Sequence, residues 1–299
     1  MKILLDTDIG CDIDDCFALA YLLSCKNLEI LGITTTTGKP HLRAQLAHKI
    51  CKTAGKNVPV FVGNEMNLSG ECLQPILTWN EPAVAESSDE KYENSCSAVE
   101  FLRQTIEANP NEITLIAIGP LTNVAMLFNS YPHIPALLKG MVIMGGRFVD
   151  DADFDFERWG KTEWNILCDK EAAKTVFEGN VKPTVVAGIE QTVRFFVDSQ
   201  KIRQGFLENK KFGDVGVAIG DAYKHAWFHD VVTIYAFLHP EEVTTEKGNV
   251  SVLFEEDCTK TIFTPDKDGN YQLLTDFSLE KFRKNYAETV GIEISCLTV

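Results

Sequence analysis

Five carboxylates lie within a ten-residue segment near the start of the chain, with no basic residue among them. The segment reads DTDIGCDIDD, and its acids are Asp6, Asp8, Asp12, Asp14 and Asp15. Helix capping explains one or two of them, because an acid at a helix N-terminus contributes about 0.3–1 kcal/mol. It does not explain five, because like charges at this spacing repel unless something neutralises them. The segment therefore predicts a site for a hard divalent cation, which prefers oxygen ligands.

Two other uses of an acidic loop can be compared with this pattern. It does not match an EF-hand, because Gly10 falls one place early and the twelfth position is Phe17 rather than Glu. A haloacid-dehalogenase-type phosphotransferase also places a D-x-D directly after its first strand. That class needs a later Ser or Thr, a Lys and a further acidic pair, and the sequence offers no convincing set in that order. Phosphotransfer is therefore the weaker alternative.

Three later segments place polar residues where apolar runs end. IGPLTN closes one run at residues 118–123, and Met144-Gly145-Gly146 closes another, with Glu163-Trp164-Asn165 some twenty residues later. A His-Asp pair, His229-Asp230, lies inside the apolar stretch AWFHDVVTIYAF. Such a pair is by itself more often a satisfied core pair. Thr122 and Asn123 have the residue types of helix caps.

The elements that must position these residues follow an α/β pattern. Apolar runs predict strands at residues 3–5, 28–35, 58–62, 113–118, 141–144 and 185–187. Helical patterns lie between them at residues 14–25, 41–54, 98–108, 121–129 and 170–179. This alternation predicts an open, mostly parallel, Rossmann-like central sheet with helices on both faces, as one domain over residues 1–299. Ligands bind such sheets at the carboxyl ends of the strands, where the acidic segment lies.

The composition restricts the partners and the compartment. The 299 residues include 28 Lys and Arg against 43 Asp and Glu, for a net charge of −15, so we expect no binding to nucleic acid or to an anionic membrane. The nine cysteines show no CxxC spacing and are predicted to be reduced thiols. No window approaches 18 apolar residues and no signal peptide fits, so we expect a soluble cytoplasmic protein.

Taken in order, the acidic segment, GPLTN, MGG…EWN and the late His-Asp resemble the inosine-uridine preferring nucleoside hydrolases. The resemblance runs from Lys2 to about His239. It implies an enzyme of purine or pyrimidine salvage that hydrolyses the N-glycosidic bond of a ribonucleoside to base and ribose. It also implies a Ca²⁺ ion that holds the attacking water and the ribose hydroxyls. Such cleavage passes through an oxocarbenium-like sugar, by analogy with inverting glycosidases.

The resemblance implies roles for individual residues around the metal. Asp8 is the base that takes a proton from the water, and it is also a metal ligand. The other implied ligands are Asp15, Asp230 and the backbone oxygen of Ile118. Asp14 is implied to bind ribose hydroxyls.

Further implied roles concern the sugar and the leaving base. Glu163 and Asn165 hold the outer hydroxyls of the sugar, and Met144 packs under its ring or is simply core. His229 donates a proton to the leaving base, a role suited to an unperturbed histidine pKa. Aromatic residues just before it, with Trp227 as the candidate, stack on the base or form one helix face in the core.

The sequence departs from the family pattern at several places. Asp8 is two residues further from Asp14-Asp15 than in typical members, so Asp12 is a rival for the role of Asp14. Lys39 stands where the family has an Asn that contacts ribose, and it either meets an anionic group or lies on the surface. The presence of Lys39 therefore keeps a second hypothesis open, in which the chain is a nucleoside-binding protein that has lost turnover. Residues 63–97, a candidate functional loop, lack a family histidine, and residues 150–157 predict an acidic flap. We also expect a homo-oligomer, a dimer or a tetramer.

Overall fold

A computed structural model describes residues 1–87, 96–149, 155–179, 181–221 and 223–299. Its strands are β1 (Lys2–Thr7), β2 (Glu29–Thr35), β3 (Val60–Val62), β4 (Ile113–Ala117), β5 (Gly140–Met144), β6 (Thr184–Ala187), β7 (Phe196–Asp198), β8 (His225–Trp227), β9 (Val243–Phe254), β10 (Thr259–Pro265) and β11 (Tyr271–Phe277). Its longer helices are α1 (Asp14–Ser24), α2 (Pro40–Thr53), α4 (Ala98–Ala108), α5 (Thr122–Ser130), α9 (Lys170–Glu178), α11 (Ser199–Glu208), α13 (His229–Leu238) and α14 (Leu279–Val290). Its shorter helices are α3 (Glu81–Glu86), α6 (Ile134–Leu137), α7 (Phe156–Trp159), α8 (Trp164–Cys168), α10 (Ile189–Thr192) and α12 (Gly213–Ile219).

The central sheet is mostly parallel, as the sequence predicts. Within the described residues it has nine strands in the order β10-β9-β11-β6-β5-β4-β1-β2-β3. The pairs from β6 to β3 are parallel, and β11 pairs in parallel with β6. Only the β9 ladders with β10 and β11 are antiparallel among these pairs. The predicted fold class is therefore confirmed.

Helices cover both faces of the sheet at its centre, so that β1, β4 and β5 are buried on both sides. In β1, Ile3 and Leu5 pack into one apolar core while Leu4, between them, packs into the other. Successive side chains of a strand point to opposite faces, so one short apolar run serves both cores. Helices α1, α2, α13 and α14 line the first core, and α4, α5 and α9 line the second.

The sequence-based elements differ from the structure mainly after β6. The segment that holds Tyr223, His225 and Trp227 includes a strand, β8, rather than a helix face. Strands β9–β11, at one end of the sheet, were not predicted, and few residues of β9 are buried, so its apolar pattern is weak. The 63–97 loop contains the short helix α3, and most of the predicted acidic flap lies outside the described residues. Among the described helices, none has both the length and the apolar character that a membrane span requires.

One buried amide ties together the ends of three neighbouring strands. The Asn123 Nδ2 group donates to Asp6 Oδ1 (2.8 Å) near the end of β1 and to the Thr35 carbonyl (3.1 Å) at the end of β2. Its Oδ1 accepts from the backbone N–H of Asn64, just beyond β3 (3.0 Å). The expectation that Thr122 and Asn123 cap α5 is wrong. No described side chain caps that helix, and the Thr122 hydroxyl instead donates to Asp169 Oδ2 (2.7 Å).

We expect Asn123→Leu to lower the free energy of unfolding by about 3 kcal/mol or more. The substitution leaves several buried polar groups unpaired, and each unpaired group costs about 1–3 kcal/mol. Urea denaturation followed by circular dichroism measures the change. Asn129→Leu, at an exposed position of the same helix, is the matched control and should stay within about 0.5 kcal/mol. Equal losses in the two variants would show that Asn123 is not a structural tie.

Candidate active site

A cavity of about 570 Å³ opens at the carboxyl ends of β1, β4 and β5. Its volume lies in the range usual for small-molecule sites. Most of the side chains that the sequence assigns to the site line this cavity: Asp8, Asp14, Asp15, Ile118, Met144, Glu163, Asn165, His229 and Asp230. Trp227 and Lys39 are not among the described residues that line it, and Lys39 is exposed at the surface.

Three carboxylates meet on one side of the cavity. Asp14, Asp15 and Asp230 are buried, and one oxygen from each lies within 4.8 Å of the others. The backbone N–H of Asp230, in the first turn of α13, donates to Asp14 Oδ2 (3.2 Å), and the Thr7 hydroxyl donates to Asp15 Oδ1. Helices α1 and α13 both begin at this cluster, where the N-terminal ends of their dipoles favour negative charge.

Asp8 lies against the turn that follows β4. A Cβ added to Gly119 would come within 2.6 Å of Asp8 Oδ1, so a glycine is needed there for the close approach. Asp8 Oδ2 is buried and finds no hydrogen-bond partner among the described residues. This unpaired oxygen and the three clustered carboxylates are the donor set that a hard cation requires. The residues therefore fit a metal ion.

The electrostatics agree with this fit. Burial, followed by repulsion from neighbouring carboxylates, raises the pKa of Asp14, Asp15 and Asp230 well above the ordinary aspartate value. Burial also raises the pKa of Asp8, to about 6, although the positive charge of Arg43 works in the opposite direction. A bound cation would remove the repulsion that the protein alone leaves uncompensated.

Arg43 is a site residue that the sequence reasoning missed. Its side chain is fully buried, and Nε donates to the Thr37 carbonyl (2.8 Å). Its Nη1 donates to the carbonyls of Asp8 and of Ile9, the latter at 3.1 Å. Arg43 thus fixes the backbone of the acidic segment from behind. The sequence did contain an indication of this role. Arg43 occupies the apolar face of an amphipathic helix, where a charge needs partners.

Asp12 and the 63–97 loop form a separate wall of the cavity. Asp12 Oδ1 accepts from its neighbour Ile13 N (2.7 Å) and from Trp79 Nε1 (2.9 Å). The loop is docked beside it, because Thr78 N donates to the Gly10 carbonyl (2.9 Å). Asp14, not its rival Asp12, is grouped with Asp15 and Asp230.

Glu163 and Asn165 also line the cavity and are held by backbone groups. Glu163 caps α8, accepting from Asn165 N (2.9 Å) and Ile166 N (3.2 Å). The helix that follows, α9, is capped by Asp169 and not by Glu163 or Asn165. The Asn165 amide donates to the carbonyls of Ile118 (3.1 Å) and Met144 (3.2 Å), at the ends of two strands.

His229 lies on an aromatic side of the cavity. Its Nδ1 is 2.9 Å from the Thr192 hydroxyl, and its ring meets the Trp159 ring edge-on with centroids 5.7 Å apart. Burial lowers the pKa of His229 to about 3, so the imidazole is neutral and the expected unperturbed pKa is not found. Trp227 packs edge-on against Trp159 (5.3 Å), which itself lines the cavity.

Comparisons with known proteins agree with this geometry. A family model described as inosine-uridine preferring nucleoside hydrolase matches residues 3–284. Uridine nucleosidase 1 of Arabidopsis thaliana is 30% identical over 276 residues, covering 86% of this chain and 80% of that protein. The pyrimidine-specific ribonucleoside hydrolase RihA of Citrobacter koseri is 27% identical over 286 residues, 84% of each chain.

Solved structures extend the likeness to the whole fold. A plant nucleoside hydrolase, PpNRh1, superposes with a TM-score of 0.82 at 24% identity, covering 97% of this chain and 98% of its own. A purine-preferring ribonucleoside hydrolase from Gardnerella vaginalis gives 0.83 at 22% identity, with the same coverage. The fold is thus that of the nucleoside hydrolases, which act on small nucleosides. The chain belongs to the inosine-uridine preferring nucleoside hydrolase family, so the resemblance and the enzyme class predicted from the sequence are confirmed.

Proposed function

We propose that this enzyme hydrolyses ribonucleosides to free base and ribose with a water activated at a Ca²⁺ site. The observation that carries the proposal is the buried group of Asp14, Asp15 and Asp230 beside the unpaired oxygen of Asp8. Asp8, Asp15, Asp230 and the Ile118 carbonyl would hold the ion. When bound, Ca²⁺ supplies a Lewis acid that makes a bound water more acidic and gathers vicinal hydroxyls.

The remaining chemistry belongs to the side chains. Asp8 accepts a proton from the water, as a general base. The water oxygen forms a bond to C1′ as the C1′–N bond breaks, and the electron pair of that bond leaves with the base. We propose that the neutral imidazole of His229 carries its proton on Nε2 and gives it to the departing base, with Nδ1 2.9 Å from the Thr192 hydroxyl.

Sugar recognition uses the other assigned residues. We propose that Asp14 accepts hydrogen bonds from ribose hydroxyls, and that Met144 packs under the ring. Asn165 Oδ1 and Glu163 face the outer hydroxyls. Base stacking is proposed for Trp159, which lines the cavity, with Trp227 supporting it from behind.

The direct test is to incubate the protein and Ca²⁺ with a panel of purine and pyrimidine ribonucleosides and to assay reducing sugar. Release of ribose that is lost with EDTA supports the proposal. No release from any nucleoside, with ligand binding retained, would favour a binding protein. Lys39 and the altered base pocket motivated that alternative, and Lys39 is exposed and is not among the described residues that line the cavity. Robust Mg²⁺-dependent phosphate release from phosphate esters would favour the phosphotransferase.

We expect His229→Ala to reduce kcat/KM for natural nucleosides by about 10²–10⁴-fold, the usual contribution of a general acid. A 4-nitrophenyl riboside should lose little, because its leaving group departs without a proton. Steady-state kinetics on both substrates measure the difference. Thr192→Val, which removes the Nδ1 partner, should show a weaker loss in the same direction. Equal losses on both substrates would make His229 a structural residue.

Three broader assignments are proposed with the function. A cytoplasmic location is supported by the nine cysteines, all of which are free thiols. A single domain over residues 1–299 is supported by one sheet that takes strands from both ends of the chain. A homo-oligomer, dimer or tetramer, stays a prediction that sedimentation velocity can check.

A further inference from the structure

The acceptors of Glu163 and Asn165 in the cavity are largely used by the protein itself. Glu163 Oε2 accepts from Gly146 N (3.0 Å) and Ile166 N (3.2 Å), and Oε1 accepts from Asn165 N (2.9 Å). A carboxylate offers about four acceptor positions, so these three backbone donors leave about one. Glu163 therefore has about one acceptor position left for a substrate hydroxyl.

The amide group of Asn165 is also largely occupied by hydrogen bonds within the protein. Its Nδ2 group donates to the Ile118 carbonyl and to the Met144 carbonyl, which accounts for both amide hydrogens. Its Oδ1 is left as an acceptor for one sugar hydroxyl. The two residues together therefore have capacity for few hydrogen bonds beyond those that hold the site in shape.

The cavity rim next to these residues is apolar and exposed. Trp164, between Glu163 and Asn165, is 45% exposed, and Leu73 and Ile76 are 44% and 59% exposed. All three line the cavity, together with Pro75. Trp164 Nε1 lies 3.4 Å from Gln74 Oε1, a contact that brings the 73–76 segment against α8. Large side chains that stay exposed at the mouth of a cavity commonly mark a binding surface.

We propose that Leu73, Pro75, Ile76 and Trp164 form a subsite for an apolar substituent on C5′ of the sugar. The enzyme would then take 5′-deoxy and 5′-alkylthio ribonucleosides at least as well as nucleosides with a free 5′-hydroxyl. This inference rests on the proposed function, which places the outer end of the sugar at Glu163 and Asn165. Loss of the 5′-hydroxyl leaves about one acceptor unpaired, while each buried CH₂ group strengthens binding about four-fold.

The first test compares kcat/KM for adenosine and uridine with their 5′-deoxy and 5′-methylthio analogues. We expect the 5′-deoxy compounds to stay within about ten-fold of the parents, and the methylthio compounds to equal or exceed them. A loss of about 100-fold or more on removing the 5′-hydroxyl would overturn the subsite.

A second test does not depend on turnover. Calorimetry with the Asp8→Asn protein and Ca²⁺ gives Kd for each parent nucleoside and its methylthio analogue. We expect the analogue to bind at least as tightly as the parent. If no nucleoside is cleaved by the unmodified enzyme but this order holds, the hydrolase proposal fails and the subsite stands. Weaker binding of the analogue to both bases would overturn the subsite.

Substitutions test whether the rim residues cause the preference for methylthio nucleosides. Ile76→Ser and Trp164→Ser should each lower the ratio of methylthio to parent kcat/KM at least about four-fold, because they remove apolar contact. Leu167→Ser, 45% exposed on the same helix α8 but outside the cavity lining, is the matched control and should leave the ratio unchanged. A variant that alters the sedimentation coefficient with no change in the ratio would assign the rim to self-association and overturn the proposal.

Discussion

Asp8→Asn is expected to reduce kcat by about 10²–10⁴-fold, because it removes the acceptor for the water's proton. Asparagine keeps the shape of the side chain, so the close approach to Gly119 is preserved. Burial disfavours the charged form of Asp8, and the metal-free variant should therefore be at least as stable as the original protein. Steady-state kinetics at saturating Ca²⁺ and thermal unfolding in EDTA measure the two quantities.

Asp12→Asn is the matched comparison, since Asp12 lines the same cavity and carries the same charge. Its replacement keeps an oxygen that can accept from Trp79 Nε1. We expect this variant to lose far less turnover than Asp8→Asn or Asp14→Asn. Near-normal activity of Asp8→Asn would refute its assignment as the base. A larger loss for Asp12→Asn than for Asp14→Asn would give Asp12 the ribose role.

The stability of the metal-free protein is expected to fall as the pH rises from about 4 to about 7. Burial raises the pKa of Asp6 to about 7 and that of Asp8 to about 6. In this window the native state keeps protons that the unfolded chain releases, so each unit of raised pKa costs about 1.4 kcal/mol once the group ionises. His229 opposes this trend, because its lowered pKa costs stability as the pH falls below about 6.5. Four carboxylates whose pKa is lowered by hydrogen bonds to basic side chains, Glu100, Glu255, Asp257 and Asp276, also oppose it. The carboxylates with a pKa raised by burial are more numerous: Asp6, Asp8, Asp12, Asp14, Asp15, Glu81, Glu163, Glu190 and Asp230.

Calcium should reverse the pH dependence. Its ligands must be deprotonated, so its stabilisation grows with pH and reaches about 2.7 kcal/mol when free Ca²⁺ is 100 times Kd. Urea unfolding between about pH 4 and 7, with Ca²⁺ or with EDTA, measures both curves. Asp230→Asn should lose the Ca²⁺ effect and flatten the EDTA curve. Superimposable curves with and without Ca²⁺ would contradict a site at this cluster.

Local patterns in the sequence predicted the sheet and the position of the site. The apolar run before the acidic segment forms β1, and Asp8 follows it at the carboxyl end of that strand. A short apolar run that ends in polar residues is typical of a buried parallel strand whose end meets a binding site. The strands that end near Ile118 and at Met144 were predicted from the same signal. Strands β9–β11 and helix α3 were not predicted, because β9 has few buried residues and α3 has only six residues, so neither carries a strong periodic pattern.

What the sequence determined by itself was which residues carry the chemistry and at which edge of the fold they lie, since both follow from residue type and order along the chain. Tertiary structure alone decided which of them meet. Asp230 joins Asp14 across 216 residues of sequence, and Arg43 reaches the acidic segment from another helix. Tertiary structure also makes His229 neutral by burying it, and it occupies the oxygens of Glu163 with backbone N–H donors. Burial and hydrogen-bond partners depend on side-chain directions and long-range packing, which local periodicity does not contain.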